Sequence, residues 1–125
     1  MVNTSLAGKK ILYVEDDEAS RYLMGYMAEE IGCGLVTCSN GEQAIDKIRT
    51  EKFDIIFMDV RMSRMNGYET SRMIRQMDKE IPIIALTAHV MEWVPLKCRE
   101  AGMNGFVPKP CSVASIEKEL CRCLL

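Results

Sequence analysis

No apolar run in the sequence approaches the roughly 18 residues needed to span a bilayer, and the opening Met1-Val2-Asn3-Thr4-Ser5 lacks the charged and apolar regions of a signal peptide. A cytoplasmic protein with no membrane contact through this segment is expected. Neither sign of charge is in excess: 16 Lys and Arg against 18 Asp and Glu leave a net charge of −2, too little to draw in nucleic acid by bulk field. Any function must therefore be local. The nucleotide fingerprints G-x-x-x-x-G-K-[ST] and G-x-G-x-x-G are missing. Six cysteines are present (Cys33, Cys38, Cys98, Cys111, Cys121, Cys123), but none form a C-x-x-C pair, and most lie in apolar periodic segments as core or incidental thiols do. Cys121 and Cys123 would point to different faces of a helix, a poor geometry for a shared metal. The ten methionines are scattered at helical spacings, as flexible core filler is.

What is present is enough for one domain. A chain of 125 residues with 48% hydrophobic and 27% charged residues has average globular composition and can bury a core of its own, so these residues are expected to form one domain without a second. Ile11-Leu12-Tyr13-Val14, Ile55-Ile56-Phe57-Met58 and Ile83-Ile84-Ala85-Leu86 are short, continuous and rich in β-branched residues, as parallel strands buried on both faces are. Leu35-Val36-Thr37-Cys38 and Phe106-Val107 predict flanking strands, the last stopped by Pro108. Between them run helical periodicities: Ala19, Leu23, Tyr26/Met27 and Ile31; Ala44/Ile45 and Ile48; Gly67, Ser71, Ile74 and Met77; Val94, Cys98 and Ala101; Val113, Ile116, Leu120 and Leu124. Ser39 with Glu42 predicts a capping box, Asn66 and Ser112 precede the third and fifth helices, and Gly32, Gly34, Gly102 and Gly105 supply stops. No linker, repeat or low-complexity tract interrupts the alternation. The expected fold class is α/β, a (βα)5 doubly wound parallel five-stranded sheet with right-handed crossovers placing helices on both faces.

In such a sheet, ligands bind outside the carboxyl ends of the strands where strand order reverses. The first strand runs into Glu15-Asp16-Asp17, the third into Asp59, the fourth into Thr87-Ala88 and the fifth into Lys109-Pro110. Converging carboxylates repel unless a cation sits among them or some stay protonated, so a hard divalent ion is implied. Magnesium fits best, because it takes one or two carboxylates plus waters and phosphate oxygens. Zinc is disfavoured, since no histidine or cysteine falls on a strand end. An ammonium at Lys109 and a hydroxyl at Thr87 suit a transferring phosphoryl group, for which Asp59 is the expected acceptor. Asp17 reads as a helix cap. Asp59 follows a wholly apolar strand and is followed by a loop rather than a helix start. Lys109 alone would read as a solvated loop charge; its flanking prolines and its company assign it to the crevice, with a cis Lys109-Pro110 bond expected.

These residues resemble the receiver domain of two-component response regulators. The resemblance rests on Ile11-Leu12-Tyr13-Val14-Glu15-Asp16-Asp17, on Met58-Asp59-Val60-Arg61-Met62 leading to Asn66-Gly67, on Ile83-Ile84-Ala85-Leu86-Thr87-Ala88, and on Gly105-Phe106-Val107-Pro108-Lys109-Pro110. It covers Lys9 to Leu124, so residues 1–125 are expected to be one receiver domain with its core at 9–124. It implies a flavodoxin-like strand order of 2-1-3-4-5. It also implies that Asp59 takes a phosphoryl group from the phosphohistidine of a sensor histidine kinase or phosphotransfer protein. Glu15, Asp16, Asp59 and the Arg61 backbone carbonyl would hold Mg2+, with Mn2+ able to substitute. Thr87, the Ala88 amide and Lys109 would bind the phosphoryl oxygens, and Phe106 would occupy an aromatic switch position. The switched face would be the fourth helix, fifth strand and fifth helix, where an output domain or partner binds. Such a domain catalyses only its own phosphorylation and dephosphorylation.

Some positions depart from the family's commonest pattern. Ser63 stands where proline usually follows Met62, Asn66 replaces a usual aspartate, and Phe106 replaces a frequent tyrosine, removing a hydroxyl. Pro95 cannot continue a helix begun several residues earlier, so the fourth helix is expected to start there. Trp93 then lies on a loop or frayed turn of the output face, where it is either a partner anchor or simple packing. His89 is either a modulator at the phosphate entrance, as Arg61 is a candidate to be, or an ordinary surface histidine. An aspartate-nucleophile phosphatase would carry a second aspartate where Arg61 stands; a phosphorylation-independent interaction module with the receiver fold is the other alternative. The segment from Asp59 to Gly67 and the run from Leu86 to Met91 look like receivers attached to hybrid sensor histidine kinases. The chain is expected to be either a stand-alone regulator or a receiver from such a protein.

Overall fold

The β-branched runs form the centre of a five-stranded sheet in the computed structural model, which describes residues 3–62, 65–88 and 90–125. The elements alternate as β1 (Lys10–Val14), α1 (Glu18–Ile31), β2 (Gly34–Cys38), α2 (Gly41–Thr50), β3 (Ile55–Asp59), α3 (Gly67–Met77), β4 (Ile83–Thr87), α4 (Val94–Glu100), β5 (Gly105–Pro108) and α5 (Val113–Leu124). All pairings are parallel, in the order β2-β1-β3-β4-β5. Successive strand residues face opposite sides and so build two cores. Ile11, Tyr13, Ile55, Phe57, Ile84 and Leu86 pack beneath α1 and α5, whereas Leu12, Val14, Ile56, Met58, Ile83 and Ala85 pack beneath α2, α3 and α4. The chain leaves β1 for β2 on one side and reaches β3 on the other, so the crevice of the strand-order reversal lies beyond the ends of β1 and β3.

Several expectations are corrected in detail. The buried stripe of α1 is Met24, Met27, Ala28 and Ile31; Ala19, Leu23 and Tyr26 of the expected stripe are exposed, because the helix turns its long apolar residue Leu23 and its tyrosines to the flanks. Met77 of α3 is likewise exposed. The cap of α2 is Asn40, whose side chain accepts from the Gln43 N–H, while Gln43 Oε1 accepts from the Ser39 N–H; the cap lies one residue later than the expected Ser39. Asp17, Asn66 and Ser112 do cap α1, α3 and α5. Gly32 stops α1 with φ 99°, and Gly102 follows α4 with φ 83°, but Gly34 and Gly105 open β2 and β5 rather than ending helices. Helix α4 starts at Val94, so Pro95 lies in its first turn, where the missing N–H is no loss. Cys38 closes β2, so a cysteine does fall on a strand end; its thiol is buried and pushed up to about 11 by desolvation, and it stands apart from the acidic crevice. A 3-10 turn at Thr4–Leu6, absent from the sequence reading, inserts Leu6 into the core under α1 and α5. Among the described residues every cysteine is a free thiol, and no helix is long and apolar enough to cross a membrane.

Candidate functional site

Parallel strands end abruptly at one edge of the sheet, and the first polar residue after each apolar run is delivered there. Glu15 follows β1 and its N–H donates to the Cys38 carbonyl, which holds it in line with the strand. Asp59 is the last residue of β3, paired with Leu86 of β4. Both side chains are buried, while Asp16 is exposed. One carboxylate oxygen from each of Glu15, Asp16 and Asp59 lies within 4.8 Å of the others.

Lys109 enters this cluster from the turn after β5, where its N–H donates to the Thr87 carbonyl at 2.8 Å and the Lys109-Pro110 bond is cis. Its Nζ donates to Glu15 Oε1 at 2.5 Å and lies 3.4 Å from Asp59 Oδ1. Two buried carboxylates with one ammonium cannot both be comfortable. Burial, reinforced by the neighbouring Glu15, pushes Asp59 up to about 7, although Lys109 and the Arg61 N–H, 3.2 Å from Oδ1, pull the other way. Burial also penalises charge on Glu15, but hydrogen bonding with Asp59 and Lys109 outweighs it and holds Glu15 below its ordinary value. The residual strain of three oxygen donors around one point, with no nitrogen or sulfur among them, fits a hard divalent cation. Mg2+ is therefore compatible with the residues present.

Residues to which the sequence reading gave no part in the cluster complete it. Tyr13 donates its hydroxyl to Glu15 Oε1 at 3.0 Å, and the i, i+2 spacing of the two on one strand face was the available signal. The Asp17 N–H reaches Glu15 Oε2 at 3.3 Å, and Arg21 Nη1 donates to the Glu15 carbonyl at 2.7 Å. Gly67 packs its backbone against the end of β3, where a Cβ would collide with the Asp59 carbonyl oxygen and the Val60 Cα. Beside Lys109 an apolar hollow of about 290 Å³ opens between Leu23 and Met27 of α1 and the Pro110-Cys111 turn.

A family model described as the response regulator receiver domain matches residues 11–120. The chain belongs to this family. Among curated relatives, it is 34% identical over 117 residues to hybrid signal transduction histidine kinase L of Dictyostelium discoideum, covering 87% of this chain and 7% of that protein. It is 38% identical over 104 residues to the alkaline phosphatase synthesis transcriptional regulatory protein PhoP of Bacillus subtilis, covering 83% of this chain and 43% of that one. The chain thus spans less than half the length of either relative. Among solved structures, the receiver domain of sensor histidine kinase PA1611 from Pseudomonas aeruginosa superposes with a TM-score of 0.86 at 33% identity, over 94% of this chain and 98% of that one; that receiver has a magnesium ion coordinated in its active-site cleft.

The remaining receiver positions take the following places. Thr87 is buried at the end of β4 and Ala88 follows it, exposed at the rim. Phe106 is half-buried on β5, level with Ala85, and packs against the core under α2, α3 and α4. The Arg61 side chain is exposed, and its backbone amide is the group seen on Asp59. Trp93 is 54% exposed immediately before α4, with Lys97 Nζ 5.7 Å from its ring centre. His89 and Ser63 lie outside the described residues.

Proposed function

We propose that residues 1–125, with the core at 9–124, work as a phosphoacceptor receiver in a two-component phosphorelay, with Asp59 as acceptor and the phosphohistidine of a sensor histidine kinase or phosphotransfer protein as donor. The observation that carries this reading is the convergence of Glu15, Asp16, Asp59 and Lys109 on one point at the sheet's carboxyl edge. An Asp59 oxygen attacks phosphorus, the P–N bond to the donor imidazole breaks, and its electron pair stays on the imidazole nitrogen. Glu15, Asp16, Asp59 and the Arg61 carbonyl are the groups to hold Mg2+, or Mn2+ in its place, and the bound ion supplies neutralisation of the phosphoryl oxygens. The ionised form of Asp59 is the nucleophile, and the Lys109 ammonium favours that form. The same ammonium is available to pair with the phosphoryl group, with the Thr87 hydroxyl and the Ala88 amide as further donors to it. The apolar hollow beside Lys109 offers a seat for the donor's histidine-bearing segment.

The response is a population shift in which Thr87 is drawn toward the phosphoryl group and Phe106, already half-buried, turns inward. The face of α4, β5 and α5 then changes for an output domain or partner, with Trp93 as anchor and Arg61 and His89 as modulators of phosphoryl lifetime. The reaction belongs to the cytoplasm, where the donor's phosphohistidine resides, and the domain turns over no outside substrate.

The test is intact mass after incubation with acetyl phosphate, with and without Mg2+, on the native chain and on Asp59→Asn. A Mg2+-dependent gain of one phosphoryl group, absent in the variant, is the expected result. No gain under any condition, together with no Mg2+ binding, would reassign the chain as a phosphorylation-independent interaction module.

A further inference from the structure

Strand β2 forms one edge of the sheet and pairs only with β1 among the described residues. Its sequence, Gly34-Leu35-Val36-Thr37-Cys38, carries neither the proline nor the charge that ordinarily blunts an edge, whereas the opposite edge strand, β5, ends in Pro108. The Gly34 N–H donates to the Lys9 carbonyl and the Cys38 carbonyl accepts from Glu15, so Gly34, Val36 and Cys38 turn their backbone groups toward β1. Strand alternation then turns the N–H and C=O of Leu35 and Thr37 outward, to an open edge.

The same two residues line a groove of about 630 Å³ between β2 and α1. Its other wall carries Tyr22 and Tyr26, 69% and 61% exposed, with ring centres 5.5 Å apart. Gly25 lies between them in mid-helix, where glycine is a poor helix former, and a Cβ there would meet nothing within 4 Å. Nothing in the domain's own packing calls for a glycine at this point; its effect is to keep the groove floor open. Glu18 and Glu29 stand toward the two ends. Arg21 also lines the groove, but its guanidinium is tied by Nη1 to the Glu15 carbonyl.

We propose that this groove takes an extended basic segment of another protein, which adds to the sheet as a sixth strand against Leu35 and Thr37. Backbone hydrogen bonds to the open edge give such a segment its hold, and its alternate side chains fall on the α1 side. A lysine or arginine there would lie over the faces of Tyr22 and Tyr26, with the Glu18 and Glu29 carboxylates flanking it. Charge decides against a second copy of this chain: a two-fold axis at the β2 edge would set the α1 helices antiparallel and bring Glu18 of each copy toward Glu29 of the other. The groove is lined by none of Glu15, Asp16, Asp59 and Lys109, so the segment binds whether or not Asp59 is phosphorylated.

The test is fluorescence anisotropy of the purified domain with three labelled octapeptides, of alternating Val-Lys, Val-Ser and Val-Glu, alongside sedimentation of the domain alone. Saturable binding of the Val-Lys peptide at least tenfold tighter than the other two is expected, with amide shifts at Leu35 and Thr37. Thr37→Pro removes only an outward N–H, and Gly25→Leu fills the floor; each should weaken binding about tenfold or more while leaving acetyl phosphate labelling unchanged. The double variant Glu18→Gln/Glu29→Gln should weaken it several-fold and reduce its salt dependence. Equal binding of the three peptides, no binding of the Val-Lys peptide at millimolar concentration, or binding indifferent to Thr37→Pro would overturn the assignment. Self-association of the domain abolished by Thr37→Pro would hand the edge to a second copy and overturn it equally.

Discussion

The Lys109 ammonium lies 2.5 Å from Glu15 Oε1 and 3.4 Å from Asp59 Oδ1, so it is closer to Glu15, the partner held below its ordinary pKa, than to Asp59, which is raised to about 7. The single lysine does not neutralise both buried carboxylates. The unbalanced charge falls on Asp59, the residue read as the phosphoacceptor.

That imbalance makes stability depend on pH. The folded-state pKa of Asp59, about 7, exceeds its ordinary 3.8, so between these values the folded chain binds the extra proton and stability falls as pH rises through the window. Above it the loss is complete. In EDTA, Asp59→Asn should therefore gain on the native chain as pH rises from 5 to 8, by about 1–3 kcal/mol. Thermal melts of both proteins at the two pH values check this, and added Mg2+ should stabilise the native chain and shrink the gap. A gap independent of pH would mean that Asp59 is not the titrating group.

Two glycines should respond in opposite ways. At Gly67 a Cβ would meet backbone at the end of β3, which cannot move without displacing Asp59. Gly67→Ala should cost about 2 kcal/mol in urea unfolding and slow acetyl phosphate labelling as well. Unchanged stability with slowed labelling would place the effect in the loop alone.

Gly25 has open space around its Cα, so Gly25→Ala adds helix propensity to α1 without a clash. A gain of about 0.5–1 kcal/mol is expected, read from the same urea curves. A loss would show that the helix is strained there.

Ser71 is fully buried on α3, and its hydroxyl has no hydrogen-bond partner among the described residues. Removing an unpaired buried polar atom should relieve desolvation more than it loses packing. Ser71→Ala is expected to raise stability by about 1 kcal/mol, measured by denaturant midpoint at unchanged slope.

The strands and the acidic crevice were legible in the sequence because their signals are local. An apolar β-branched run that stops at a carboxylate announces both a buried strand and its end, and the two such stops, after β1 and at the end of β3, converge once the sheet is doubly wound. What escaped depends on tertiary placement. Leu6 is buried because the 3-10 turn docks under α1 and α5, which no periodicity records. The α1 stripe is ambiguous in the sequence because Leu23 and Tyr26 satisfy a helical spacing as well as Met24, Met27 and Ala28 do, and only the position of β2 beside the helix decides which set is covered. Tyr13 was hidden inside its own apolar run, as its ring is core while its hydroxyl belongs to Glu15.

The cap of α2 shows the same limit at the scale of one residue, and mutation can resolve it. Ser39 and Asn40 are both good N-cap residues, and Glu42 three positions after Ser39 favoured the earlier start. In the fold, Asn40 Oδ1 accepts from the Gln43 N–H at 2.8 Å, and Gln43 Oε1 accepts from the Ser39 N–H at 2.8 Å. Gln43 thus donates its N–H to the cap and reaches back with its side chain to the residue before the cap. Asn40→Ala should cost about 1 kcal/mol, more than either Gln43→Ala or Glu42→Ala. Denaturant melts of the three variants separate the registers. A larger loss for Glu42→Ala than for Asn40→Ala would move the helix start back to the box that the sequence suggested.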